Sequence, residues 1–547
     1  MESDDSFPRV RPGSVVRAYV ALRQRPLHGC TAVPSGREPT LTPVLADRLR
    51  LRAAPWAVCI VLVAAVSGVA LRVWIMSSRS GALDSDEAVF GLMAKHVLHG
   101  ATPVFFWGQS YGGTQETFVS AALFAVFGVS TTALRFGPLI FWAIAAILLW
   151  RVALRLLDRN RALLAAGLFW TASTYFVWKS TRAHGFYGSG LAFGLWAMLA
   201  ALRIQQSNRR SLLDYAQLGL ALGLGWWATP QIAILGAPAV IWLLWHKRSL
   251  RGAEIALPAF VVGSLPWWIY NLKHHWGSFT FPADEQSKVG HLHNLASSVL
   301  PMALGLRLPT TISWYPTAVV GVALYVLVLG YLLWLVVKRP RGIGMFILAL
   351  LLFPVFYAVS PYTWLANEPR YVTLLSPVLA LLLVYVLRTR LRAAVFFAAC
   401  IALAFASFAR MDAQNVLGFH SDKILVPADF RPVVAGLDRL GIRHFYADYW
   451  ITYRIVFETK ERIIGATGAP HYRLTGGRVR PIKVDDPGSE GRYRPYRIEV
   501  DASRDAAVLF THGSKLEAKT LPLLRRAGYR HFLVHGIDIW QAPRGAA

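Results

Sequence analysis

About eleven apolar stretches, most of them near the length that crosses a bilayer, leave this chain few folds other than a polytopic α-helical membrane protein. They lie near residues 55–76, 136–157, 163–181, 186–204, 213–228, 232–245, 255–270, 313–337, 343–359, 371–387 and 391–408. A helix of about 20 apolar residues satisfies its own backbone across the ~30 Å hydrocarbon layer, which an open sheet edge cannot do. Pro230 divides the weakest pair, 213–228 and 232–245. Composition agrees: 55% of the 547 residues are hydrophobic and 16% are charged, and the mean hydropathy is +0.41.

The chain is strongly basic, with 57 Lys and Arg against 30 Asp and Glu and a formal charge of +27. These cations fall in short clusters between apolar runs, as in Arg151/Arg155/Arg159/Arg161, Arg203/Arg209/Arg210, His246-Lys247-Arg248, Lys338-Arg339-Pro340-Arg341 and Arg388-Thr389-Arg390. That is the pattern of cytoplasmic loops on an anionic leaflet, and it argues against a nucleic-acid partner. Placing all five clusters with the N-terminus in the cytoplasm requires one crossing between the first loop and Arg151. The short apolar piece 118–129 is therefore expected to lie flat at the outer interface. The long connections 77–132, 271–312 and 361–370 then face outward, together with everything after Arg410. The expected organisation is a disordered cytoplasmic tail (1–52), a transmembrane domain (53–410) and a small extracytoplasmic α/β domain (411–547). In the last block, strand-like runs at 443–447, 507–511 and 531–534 and a helix-like run at 516–527 change the periodicity. Cys30, Cys59 and Cys400 offer neither a disulfide framework nor a thiolate metal site.

The first outward loop opens on Asp84-Ser85-Asp86-Glu87, three scarce acids beside a membrane surface. A helix start explains part of this, with Asp84 as cap and Glu87 three positions on. A capped helix at the interface is also a rigid mount for a carboxylate, and Asp86 is the residue left over. Further along, Tyr111, Gln115 and Glu116 follow an aromatic and glycine-rich stretch and can hydrogen-bond sugar hydroxyls. An acid at the start of a membrane-associated segment, such as Glu116, is costly unless used. Cations at outer span ends break the positive-inside pattern: Lys179, Arg182 and His184; Asn271-Leu272-Lys273; and Glu368-Pro369-Arg370-Tyr371. Snorkelling to headgroups accounts for each one singly, whereas a lipid phosphate accounts for all of them on one face. His274, His275, His291 and His293 lack a carboxylate at ligand spacing, so a divalent metal is chemically conceivable but unsupported by the sequence, and no cofactor is called for. Neither a P-loop nor a GxSxG elbow is present.

This order of features resembles the GT-C fold integral-membrane glycosyltransferases, in the branch of protein O-mannosyltransferases, lipid A aminoarabinose transferases and RgtA-like transferases. The resemblance rests on Asp86-Glu87, on Tyr111 with Glu116, on Pro266-Trp267 through Asn271, and on Arg370-Tyr371, within about residues 55–410. It implies transfer of a hexose or pentose from a polyprenyl-phosphate donor to a glycan, lipid or protein acceptor outside the cytoplasm, in a plasma (inner) membrane. Asp86 would be the base, Glu87 and Glu116 would orient substrate, and Arg370 and Lys273, with Arg182 as a third candidate, would hold the phosphate. One departure is His184-Gly185-Phe186-Tyr187, where several family members carry an acid. The rival class is a lipid-linked-sugar transporter or flippase. It would place ionisable groups and broken helices at the midplane in two related halves, whereas the acids here sit in an outer loop. A membrane scaffold serving the exterior domain is a third class, and it would let the loop acids be replaced freely.

Overall fold

The computed structural model describes residues 53–207, 211–247, 252–281, 286–363, 366–367, 369–468, 471–482 and 491–543. The expected tail (1–52) lies outside them. All eleven apolar stretches contain helix, in spans of unequal length. Among the described residues five helices are long and apolar enough to cross a membrane alone: Pro55–Ser77, Thr131–Ala153, Tyr187–Gln206, Ala318–Lys338 and Arg390–Ala413. The pair Ala253–Gly263 and Leu265–Lys273, bent by 61°, makes a sixth if counted as one span. The bend has a local cause, because Pro266 lies in the first turn of the second helix and donates no backbone hydrogen bond. Stretch 163–181 likewise divides into Arg159–Thr171 and Thr174–Ser180. The segment expected at the interface is the short apolar helix Gln115–Phe127, which leaves Val126 and Phe127 exposed.

Burial sorts the spans. Tyr187–Gln206 is 83% buried over its most apolar window, against 22–39% for the other four long helices. It is the centre of the bundle, and the others turn Val66, Ile147, Leu327 and Leu391 outward, as a lipid-facing surface requires. Small residues set the closest approach. A Cβ on Gly219 or Gly223 of Leu212–Ala228 would lie 2.0 Å from the Ala256 carbonyl or 2.2 Å from that of Phe260. This is the small-xxx-small packing that lets two membrane helices touch backbone to backbone. One buried cation holds the site in place: Arg72 of the first helix donates to Ser180 Oγ (2.9 Å) and the Trp170 carbonyl (3.0 Å), tying down the short helix Thr174–Ser180.

The C-terminal part is α/β. Its five-stranded sheet has the order Ile464–Thr467, His444–Ala447, Ala507–Thr511, Ile537–Gln541, Arg530–Val534. The first three strands are parallel, and Ile537–Gln541 runs antiparallel to both of its neighbours. The C-terminal part docks on the helix Ser85–Leu98 through its own helix Tyr449–Glu458 and the turn that follows. Gly91 lies against the Phe457 ring, where a Cβ would come within 2.4 Å. Ser85 Oγ donates to the Tyr449 carbonyl (2.6 Å), and Glu461 takes His96 (2.7 Å) and Lys95. The described residues from Ala53 onward accordingly form one compact unit.

Candidate active site

The acidic cluster is divided by the geometry of one helical turn. Asp84 caps the helix Ser85–Leu98, accepting from the Glu87 amide (2.8 Å), and its other oxygen takes Arg182 (2.7 Å) and His184 Nε2 (2.6 Å). Burial favours the neutral acid, but His184 and Arg182 outweigh it and hold the Asp84 carboxyl well below its usual range. Glu87 faces the protein interior. Arg135 grips both its oxygens (2.9 and 2.8 Å), Arg182 lies 2.8 Å away, and the Ala183 amide donates at 3.0 Å. Burial again opposes ionisation, and Arg135 and Arg182 more than offset it, keeping Glu87 below the ordinary value. Asp86, between them, is only half-buried and turns the other way.

Asp86 lines a cavity of about 720 Å³. The walls come from the start of the Ser85–Leu98 helix, the loop carrying Tyr111, residues 175–187, 229–234 and 353–363, Asn367, Arg370 and Tyr371, and the C-terminal residues Val416–His420, Trp450 and Arg492. One part is apolar, with Ile234, Phe353 and Phe356, while Asp84, Asp86, Lys179, His184, Arg370 and Arg492 supply charge or hydrogen bonds. Lys179 donates to His184 Nδ1 (2.7 Å), which continues the chain to Asp84. Cations of this kind can hold a phosphate and an apolar lining can hold a lipid chain, and Asp86 is a carboxylate of the same cavity.

Six of the twelve residues singled out in the sequence share this cavity: Asp86, Tyr111, Lys179, His184, Arg370 and Tyr371. The other six do not line it. Glu87 and Arg182 form the ion-pair layer beneath it. Glu116 is buried and accepts from the Ser189 amide (2.8 Å), fixing the start of the central helix. Gln115 donates to the Leu224 carbonyl (3.1 Å). Asn271 closes a turn by donating to the Trp267 carbonyl (2.9 Å) and Ser278 Oγ (3.0 Å). Lys273 is exposed. Glu368 lies outside the described residues.

Sequence reasoning missed the C-terminal contribution. Tyr449 donates to Asp86 Oδ1 across 2.5 Å, and Arg492 stands behind it with its Nε 3.4 Å from the Tyr449 hydroxyl and its guanidinium 5.0 Å from the Phe106 ring centroid. Burial and the Asp86 charge push the Tyr449 hydroxyl well above its ordinary value, so it remains a donor. The available signal was local: Asp448 caps a helix directly after a strand, and that junction presents Tyr449 and Trp450.

Comparison with known proteins agrees with this architecture. Residues 116–270 match the family model of dolichyl-phosphate-mannose-protein mannosyltransferases. The chain is similar in structure to ArnT from Cupriavidus metallidurans bound to undecaprenyl phosphate, with a TM-score of 0.58 and 12% identity over 91% of this chain and 99% of that one. The apo state of the same protein gives 0.58 and 12% over 90% and 98%. No curated protein sequence matches the chain. With its bundle of apolar helices and terminal α/β sheet, this chain has the GT-C fold.

Proposed function

We propose that the chain transfers a hexose or pentose from a polyprenyl-phosphate donor to a hydroxyl of an extracytoplasmic glycan, lipid or protein, with Asp86 as general base and the cavity opening on the exoplasmic face. The single observation that carries this is the sharing of one cavity by Asp86, the cations Lys179, Arg370 and Arg492, and an apolar wall. In the reaction the acceptor oxygen attacks the anomeric carbon while Asp86 takes its proton. The bond from that carbon to the phosphate oxygen breaks, and the electron pair leaves with the polyprenyl phosphate. Inversion at the sugar follows from attack opposite the leaving group. A preorganised base and cations aimed at the departing phosphate contribute where charge develops.

Lys179 and Arg370 replace Arg182 and Lys273 as the principal phosphate ligands, because Arg182 is committed to Asp84 and Glu87 and Lys273 is exposed. The C-terminal part closes one wall and shapes access for the acceptor. The ArnT structure bound to undecaprenyl phosphate supports a donor of this chemical kind. The test is transfer of labelled sugar by the purified chain in proteoliposomes containing polyprenyl-phosphate sugar and a crude envelope acceptor. Turnover releasing one polyprenyl phosphate per sugar moved is expected. Passage of the lipid-linked sugar across the bilayer without cleavage would instead establish a transporter.

A further inference from the structure

A second group of chemically able side chains lies in the C-terminal sheet, and none of its members lines the Asp86 cavity. Asp538 sits on the strand Ile537–Gln541, paired with Leu533 on one side and Phe510 on the other. His531 is two residues from Leu533 and His512 two from Phe510, so the period of two puts both imidazoles on the face that bears Asp538. The contacts agree: His531 Nε2 is 2.7 Å from Asp538 Oδ1 and His512 Nδ1 is 2.9 Å from Oδ2. Glu517, on the helix Lys515–Arg526 above this face, is held by the Trp540 indole, which donates to its Oε1 at 3.0 Å. The donor atoms of Glu517, His531 and Asp538 all lie within 4.8 Å of one another.

We propose that Glu517, His531 and Asp538, with His512 on the second oxygen of Asp538, form a binding site for one divalent transition cation of the zinc type. Two features beyond the residue count carry this. The Asp538 side chain is 1% exposed, while His531 and His512 are 41% and 61% exposed, which gives a buried anchor with an open rim through which an ion can enter. The ligands also come from two strands, the turn after a third and a helix, so one ion would clasp the Lys515–Arg526 helix onto the sheet. Zn²⁺ takes His nitrogen at about 2.0–2.1 Å and carboxylate oxygen at about 2.0–2.2 Å, and donor atoms within 4.8 Å of one another are near enough to share one such ion. One imidazole and two carboxylates without thiolate, with His512 bracing Asp538 from its second oxygen, favour zinc over softer cations. The role is structural and independent of the reaction proposed above.

The test uses the full chain, metal-stripped, in detergent and without a polyhistidine tag, titrated with Co²⁺ and then Zn²⁺. One equivalent of Co²⁺ giving the visible absorption of a tetrahedral site, displaced by one equivalent of Zn²⁺, is expected. His531→Ala and Glu517→Ala should each weaken Zn²⁺ binding by more than the roughly 10–100-fold that loss of an outer partner costs. His275→Ala, in the histidine-bearing loop elsewhere, should leave it unchanged. Zn²⁺ should raise the unfolding temperature of the parent and not of Glu517→Ala. Absence of the visible band would overturn the site, as would a band unaltered in both variants.

Discussion

Tyr449 donates its phenolic hydrogen to Asp86 across 2.5 Å, although 363 residues separate them. The carboxylate proposed as base is therefore oriented by the C-terminal part of the chain. A hydrogen bond to a charged group contributes about 1.5–3 kcal/mol, equivalent to roughly a 10–100-fold change. Tyr449→Phe should lower kcat by about that factor and leave the KM for the donor nearly unchanged. Equal kcat in the two proteins would show that Tyr449 does not position the base.

Glu87 is expected to matter for folding more than for chemistry. It is fully buried and bound to Arg135, Arg182 and the Ala183 amide. Removing one partner of such a pair costs about 3–5 kcal/mol, because the other charge is left buried and unpaired. Glu87→Ala should lower the yield of folded protein and its unfolding temperature in detergent. The molecules that do fold should retain transfer activity, and an inactive variant of normal stability would return Glu87 to the chemistry.

The contact between the acidic helix and the sheet should weaken in acid. Burial raises the Glu461 carboxyl, but hydrogen bonds from His96, Lys95 and Tyr496 outweigh it and bring it from 4.5 down to about 2. A carboxyl depressed in the folded state stabilises above its unfolded value and loses that contribution as pH falls. Limited proteolysis between the sheet and the membrane part should therefore accelerate as pH drops from about 4.5 toward 2. Glu461→Gln should make cleavage at neutral pH resemble that of the parent in acid. A parent insensitive over that interval would remove Glu461 from the contact.

Arg370 lies in the cavity where a phosphate is expected, and a lysine there would keep the charge without the planar fork. Arg370→Ala should raise the KM for the polyprenyl-phosphate sugar by more than about 10-fold, with Arg370→Lys in between. An unchanged KM in both would place the phosphate elsewhere.

The apolar runs were legible because hydrocarbon leaves the backbone no alternative to helix. The strands near 507–511 and 531–534 and the helix near 516–527 were legible from their period, and they recur as Ala507–Thr511, Arg530–Val534 and Lys515–Arg526. Asp84 as cap and Asp86 as the remaining carboxylate followed from the spacing of one turn. The direction in which Glu87 and Arg182 point was not legible. An i+1 neighbour on a helix turns about 100° away, and its partner Arg135 lies 48 residues on. Tyr449 and Arg492 were missed for the same reason, since contacts across hundreds of residues leave no local period.

The central claim is that Asp86 takes the acceptor proton. The most direct measurement is sugar transfer by Asp86→Asn in proteoliposomes, with membrane insertion, unfolding temperature and donor binding shown equal to the parent. The amide keeps the size and can still accept from Tyr449, but it cannot take a proton at neutral pH. Loss of transfer by about 10²–10⁴-fold with donor binding retained is the expected result. Transfer at the parent rate would contradict it.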